Sequence, residues 1–183
     1  MKKLIIFLSL FTFSNLYSSE IKFEKISGDL NKPWSLSFID KENVIITEKT
    51  GKLLTLNLKD KNINEIKHNL SLISLGQGGL LDVLYKDNTI YISYSENRGN
   101  WETSTSVAKG IFDKKKIVFK NIFRAEPPID SGYHFGSRLV INGKHLYITA
   151  GERGQGMIAQ DATKHPGSII RIYLDGSIPK DNP

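Results

Sequence analysis

Short runs of Ile, Val, Leu, Tyr and Phe, separated by Gly, Asn, Asp and Lys, recur along this chain from residue 21 onward. Past the N-terminal segment, no stretch keeps apolar residues on a helical period for three turns, and the runs are short and rich in β-branched and aromatic residues. The pattern predicts an all-β domain with strands over 21–26, 35–39, 44–47, 52–58, 80–85, 90–94, 104–112, 117–123, 138–141, 146–149 and 168–174. Most neighbours are close enough to form hairpins.

The runs also repeat. Val44-Ile45-Ile46-Thr47 returns as Ile90-Tyr91-Ile92-Ser93 and as Leu146-Tyr147-Ile148-Thr149, at offsets of 46 and 56 residues. Each copy follows another apolar run across a short turn. Self-similarity at about 40–50 residues, with about four strands per unit, is the signature of a β-propeller. A compact β-sandwich with accidental repeats is the competing architecture. At this period the chain holds about three blades, whereas propellers close with about four to eight. The chain is therefore expected to be the N-terminal part of a longer propeller, and the turn-like Asp175-Gly176-Ser177-Ile178-Pro179 fits a connection between blades.

Composition then limits what such a scaffold can do. Lys2 and Lys3 precede an apolar run over residues 4–13 and then small polar residues. This is the layout of a secretory signal peptide over residues 1–19, cleaved before Glu20. The run is too short for a membrane span, which needs about 20 apolar residues, and the product is expected to be exported, periplasmic or secreted. With no Cys, disulfides and thiolate metal sites are excluded. The net charge of +6 comes from lysines scattered through turns, such as Lys114, Lys115 and Lys116. No basic helix or aromatic-interleaved patch accompanies them, so nucleic acid is not an expected partner.

Three clusters can carry chemistry. Gly132-Tyr133-His134-Phe135-Gly136-Ser137-Arg138 places an imidazole and a guanidinium in a turn leading into a strand, where sites are commonly built on rigid β scaffolds. His134 suits a general base because imidazole titrates near neutral pH; Arg138 either holds an anion or braces a loop. Gly76-Gln77-Gly78-Gly79 sets an amide among glycines that let a ligand approach the backbone, or simply form a tight turn. Gly151-Glu152-Arg153-Gly154-Gln155-Gly156 lacks the following helix of a phosphate loop, so dinucleotide binding is rejected, and Glu152 is left as a carboxylate at a strand end. His68, His145 and His165 lack metal-ligand spacing and are read as structural.

Taken in order, Asn31-Lys32-Pro33-Trp34-Ser35-Leu36, Gly76-Gln77-Gly78-Gly79-Leu80-Leu81, Tyr91 to Ser95, His134-Phe135-Gly136-Ser137-Arg138-Leu139, Gly151-Glu152-Arg153-Gly154 and the segment from Asp175 to Pro183 resemble the glucose/sorbosone dehydrogenase family, in its N-terminal half. The resemblance implies a six-bladed β-propeller that uses pyrroloquinoline quinone and calcium to oxidise the anomeric carbon of an aldose to a lactone. It also implies an electron-acceptor protein or quinone as the redox partner. It assigns His134 as catalytic base, Gln77 as a contact to sugar and cofactor, and Glu152 as support for His134. Tyr133 stands where relatives usually carry Asp or Asn, and joins Gln77 and Arg138 in the expected substrate- and cofactor-binding set. The family's remaining quinone-binding cations and its calcium-binding carbonyls lie in later blades, so no metal ligand is expected within this chain. Two other readings remain: a catalytically silent propeller or exported binding module, and a calcium-dependent propeller lactonase, for which the clustered acidic residues are not seen.

Overall fold

A computed structural model describes residues 21–28 and 30–182 of this chain. The expected signal peptide and its cleavage site lie outside these residues. Among the described residues the architecture is three successive antiparallel sheets, with one short 3-10 turn at Gly156–Gln160.

The first sheet holds β1 (Pro33–Phe38), β2 (Asn43–Glu48), β3 (Leu53–Asn57) and β4 (Ile63–His68) in sequence order. The second holds β5 (Leu80–Lys86), β6 (Thr89–Gly99), β7 (Glu102–Ile111) and β9 (Lys120–Arg124), and the third β10 (Gly136–Asn142), β11 (His145–Ala150) and β12 (Ile169–Tyr173). Between them, β8 (Lys116–Ile117) leaves the second sheet and pairs in parallel with β4, stitching the outer edges of two blades together. The first strands lie side by side, β1 against β5 and β5 against β10, as innermost strands do around a propeller axis.

The sequence repeat becomes a repeat of geometry. Its three copies fall in β2, β6 and β11, each the second strand of a blade, and the equivalent Ile46, Ile92 and Ile148 are all buried. With its donor at the same two offsets, one hydrogen bond recurs in every blade: Lys49 N–H to Lys32 O at 3.0 Å, Ser95 N–H to Gly79 O at 2.9 Å, and Gly151 N–H to Phe135 O at 3.1 Å. Each bond closes the top of a β-hairpin onto the residue just before the innermost strand. Each innermost strand also loses register near its start, between Pro33 and Ser35, Leu80 and Val83, and Gly136 and Leu139. A bulge bends its strand and re-aims the side chains beside it, and here all three sit at the same end of the blades.

Two cores lie between the sheets. Ile45, Leu53, Ile66, Leu80, Val83 and Ile92 fill the first, and Tyr91, Val107, Leu139, Leu146, Ile148 and Ile172 the second. A buried aliphatic side chain contributes about 1.5–3 kcal/mol, so these layers fix the angle between blades. The outer face of the first sheet packs on Ile26 and Leu30, while Leu36 and Phe38 remain over half exposed. On the far face of the third sheet, Val140 and Ile169 are likewise exposed.

The structure corrects several expected strands. Residues 21–26 form no strand, and Phe23 is 97% exposed. The expected strand over 117–123 is broken at Val118-Phe119 into β8 and β9, because Asn69 takes the Phe119 N–H and the chain changes sheets there. β4 was not anticipated: its edge position leaves only Ile66 buried, and its polar residues hide the period.

Candidate active site

Four connections meet at the bulged end of the blades: 49–52 after β2, 69–79 before β5, 125–135 before β10, and 151–168 after β11. Gly76 packs so tightly on Gly132 that an added Cβ would lie 2.4 Å from the Gly132 carbonyl oxygen. Gln77 N–H donates to that oxygen at 2.7 Å, and His134 N–H donates to Gln77 Oε1 at 2.8 Å. The glycines of the 76–79 cluster therefore admit close approach of two blade connections, and the Gln77 amide is part of the mount of His134.

His134 itself adopts φ of +49°, and Gly136 and Ser137 follow at +67° and +75°. A non-glycine residue held there costs of order 1–3 kcal/mol and persists only where its surroundings over-determine it. Here Phe135 O accepts from Gly151 N–H at 3.1 Å and Thr105 Oγ1 at 2.7 Å, while Phe135 is buried. The turn presents the imidazole to solvent, with half of its side chain exposed.

Glu152 Oε1 meets His134 Nδ1 in a short hydrogen bond and also accepts Gly154 N–H at 3.1 Å. The bond from His134, followed by backbone N–H groups, holds the Glu152 carboxyl below the usual range. An ionised carboxylate can only accept, so the proton of this bond is on Nδ1, and in the neutral imidazole Nε2 carries the lone pair. A carboxylate behind a histidine fixes both tautomer and ring direction, the arrangement of a general base awaiting a proton.

The remaining expected site residues fall differently. Tyr133 is 61% exposed, with its ring 6.1 Å from that of His134 and edge-on to it, a position for contact with whatever the imidazole meets. Arg138 points to Asp82, Nη1 to Oδ1 at 3.2 Å. Of its two readings, the geometry is that of a brace. Asp82 is 5% exposed and also accepts Ser35 Oγ at 2.5 Å and Leu139 N–H at 2.8 Å, tying all three innermost strands. The other histidines bond within the scaffold: His68 Nε2 to Gly51 O, His165 Nδ1 to Glu126 N–H, and His145 stacked on Tyr173.

Two residues at this end were not singled out from sequence. Lys49 Nζ donates to Gly76 O beside Gln77. Arg153 is buried at 2% exposure, under the His134 turn. The available signal was the repeat: Lys49 stands in the first blade where Gly151 stands in the third.

Comparison with known proteins places these features in context. The family model for glucose/sorbosone dehydrogenase matches residues 30–183. Aldose sugar dehydrogenase YliI of Escherichia coli is 34% identical over 173 residues, 89% of this chain and 47% of the relative. Quinoprotein glucose dehydrogenase B of Acinetobacter calcoaceticus is 28% identical over 210 residues, 93% of this chain and 43% of the relative. The crystal structure of the soluble aldose sugar dehydrogenase from Escherichia coli in its apo form superposes with a TM-score of 0.82 at 34% identity, over 87% of this chain and 49% of that one. The chain thus spans about half the length of the relatives it matches.

Proposed function

We propose, because this chain belongs to the glucose/sorbosone dehydrogenase family, that the protein it builds is a quinone-dependent dehydrogenase oxidising the anomeric carbon of an aldose to its lactone. The observation that carries the reading is the His134–Glu152 pair mounted on a left-handed turn at the gathered ends of the blades. His134 Nε2 would take the proton of the sugar C1 hydroxyl, with Glu152 accepting the Nδ1 proton's hydrogen bond and stabilising the imidazolium that forms. Gln77 holds the backbone of His134 in place, and Tyr133 would contact the sugar ring.

When bound, pyrroloquinoline quinone would supply the acceptor for the C1 hydrogen and its electron pair, which leave C1 as a hydride while the hydroxyl proton goes to His134. The described residues do not fit that group by themselves. Arg138 is engaged by Asp82, Arg153 is buried and Lys49 donates to a carbonyl, so no free cluster of cations faces a tricarboxylate. Among the described residues no three His, Asp or Glu are grouped to hold a metal ion. The remaining quinone contacts and the calcium site are proposed for the portion of the relatives' length that this chain does not span. The same observation favours a second reading for these 183 residues alone, a silent or purely sugar-binding module.

The test is aldose-dependent dye reduction by the full-length protein with added quinone and calcium. His134→Ala is expected to lower turnover by about 10²–10⁴-fold, the usual contribution of a general base; unchanged turnover overturns the assignment. Export is proposed from residues 1–19, to the periplasm or beyond the cell, and N-terminal sequencing of the mature protein checks it: a chain beginning at Met1 overturns it.

A further inference from the structure

We propose that Arg153 is a positioning residue for His134, its buried guanidinium fixing the backbone on either side of the imidazole and thereby the direction of Nε2. The inference rests on the base role proposed above for His134.

Arg153 holds both neighbours of His134. Its Nε donates to Tyr133 O at 2.9 Å, and its guanidinium plane lies 3.6 Å over the Phe135 ring. The other two nitrogens reach outward: Nη1 to Thr103 O at 3.0 Å, and Nη2 to Thr103 Oγ1 at 2.7 Å and to Ser131 O. The side chain thus joins β7 of the second blade to the connection that carries His134. Two consecutive residues divide the work, Glu152 holding the ring of His134 and Arg153 the chain around it.

All of these acceptors are uncharged oxygens. Burial without a carboxylate is unfavourable for the cation and pushes its pKa down to about 10, which still leaves it protonated at neutral pH. An apolar side chain of similar volume would spare the desolvation of the cation but leave these buried oxygens short of donors. What an apolar side chain lacks is a planar fork of donors that reaches three carbonyls and a hydroxyl while stacking on an aromatic ring. Lys has neither the fork nor the plane. His134 at φ of +49° needs such constraint, because an unconstrained residue relaxes out of that region.

The test compares Arg153→Lys with wild type in the full-length protein, alone and in a His134→Ala background. Arg153→Lys is expected to lower kcat by about 10–100-fold, the scale of a misaligned reacting group, with KM within about two-fold, and to have no further effect once His134 is gone. An unchanged kcat, or a loss that persists undiminished in the His134→Ala background, overturns the proposal. Should Arg153→Lys not fold, Thr103→Val removes one partner of the guanidinium and is expected to shift kcat in the same direction by less; no shift counts against the proposal. An inactive wild-type protein would count against the proposed dehydrogenase, leaving Arg153 to be judged by imidazole nitrogen NMR of His134. That spectrum is expected to change from the single Nδ1-protonated tautomer to a mixture in Arg153→Lys, and an unaltered spectrum overturns the positioning role.

Discussion

Gly151 lies directly against the backbone of His134: a Cβ at residue 151 would sit 1.9 Å from the His134 carbonyl oxygen and 3.2 Å from Gly136 N. No side-chain rotation relieves contacts with backbone atoms, so Gly151→Ala must displace one strand end from the other. Overpacking costs about 1–3 kcal/mol, and the displaced turn is the one that mounts the imidazole. The urea midpoint is expected to fall and aldose turnover to drop by more than the loss of folded protein explains. Crystallography of the variant would show the 134–136 turn shifted.

Glu152 gives a pH signature. Its carboxyl is held below its ordinary value of 4.5, chiefly by the bond from His134. A depressed carboxyl contributes stability that is fully present above its unfolded value and is lost as the pH falls through the lower folded value. The stability advantage of wild type over Glu152→Gln is therefore expected above about pH 5 and should vanish under stronger acid, as read from urea midpoints across the acid range. An advantage that grows as the pH falls below 4.5 contradicts the assigned pair.

Asp82 and Arg138 form one ion pair but differ in burial, 7% against 60% side-chain exposure. Asp82→Ala leaves Leu139 N–H without its acceptor inside the barrier between blades and unties β1 from β10 through Ser35. Leaving a buried donor of this kind without its acceptor costs about 1–3 kcal/mol. Arg138→Ala loses only a solvent-screened contact, about 0–1 kcal/mol. Denaturant titration of the two variants is expected to separate them clearly; equal losses would mean that Arg138 does more than brace.

Leu36 and Phe38 on the first blade, and Val140 and Ile169 on the third, are each more than half exposed on the two outer faces of the arc. Apolar faces of this kind mark surfaces that are covered in the working protein or associate when bare. A polypeptide of these 183 residues alone is expected to self-associate in light scattering. Leu36→Lys with Phe38→Lys should reduce that association. A monodisperse monomer would argue that the faces need no cover.

Some of this was legible in the chain. β2 and β6 show as apolar runs because both of their faces are packed, and β11 because Leu146 and Ile148 fill the second core while Tyr147 is half-buried on the other face. β4 was hidden because the outermost strand of a blade needs few apolar residues: Ile66 is buried, Ile63 is half-buried against the outer cluster, and the rest is polar. His134 and Gln77 stood out because their glycine-rich surroundings are unusual in themselves. The partnership of His134 with Glu152, across 18 residues, was suggested by family resemblance and given geometry by the fold.

By itself, the sequence determined the fold class, the blade period and the residues able to do acid–base work, since these depend on local pattern and side-chain chemistry. The tertiary structure decided which groups meet. Lys49 reaches Gly76, Arg138 turns to Asp82, and Arg153 slides beneath His134, because stacking blades around an axis brings connections distant in sequence to one end. Contacts of that kind leave no mark on local periodicity; they follow from the angle at which the packed cores set one sheet against the next.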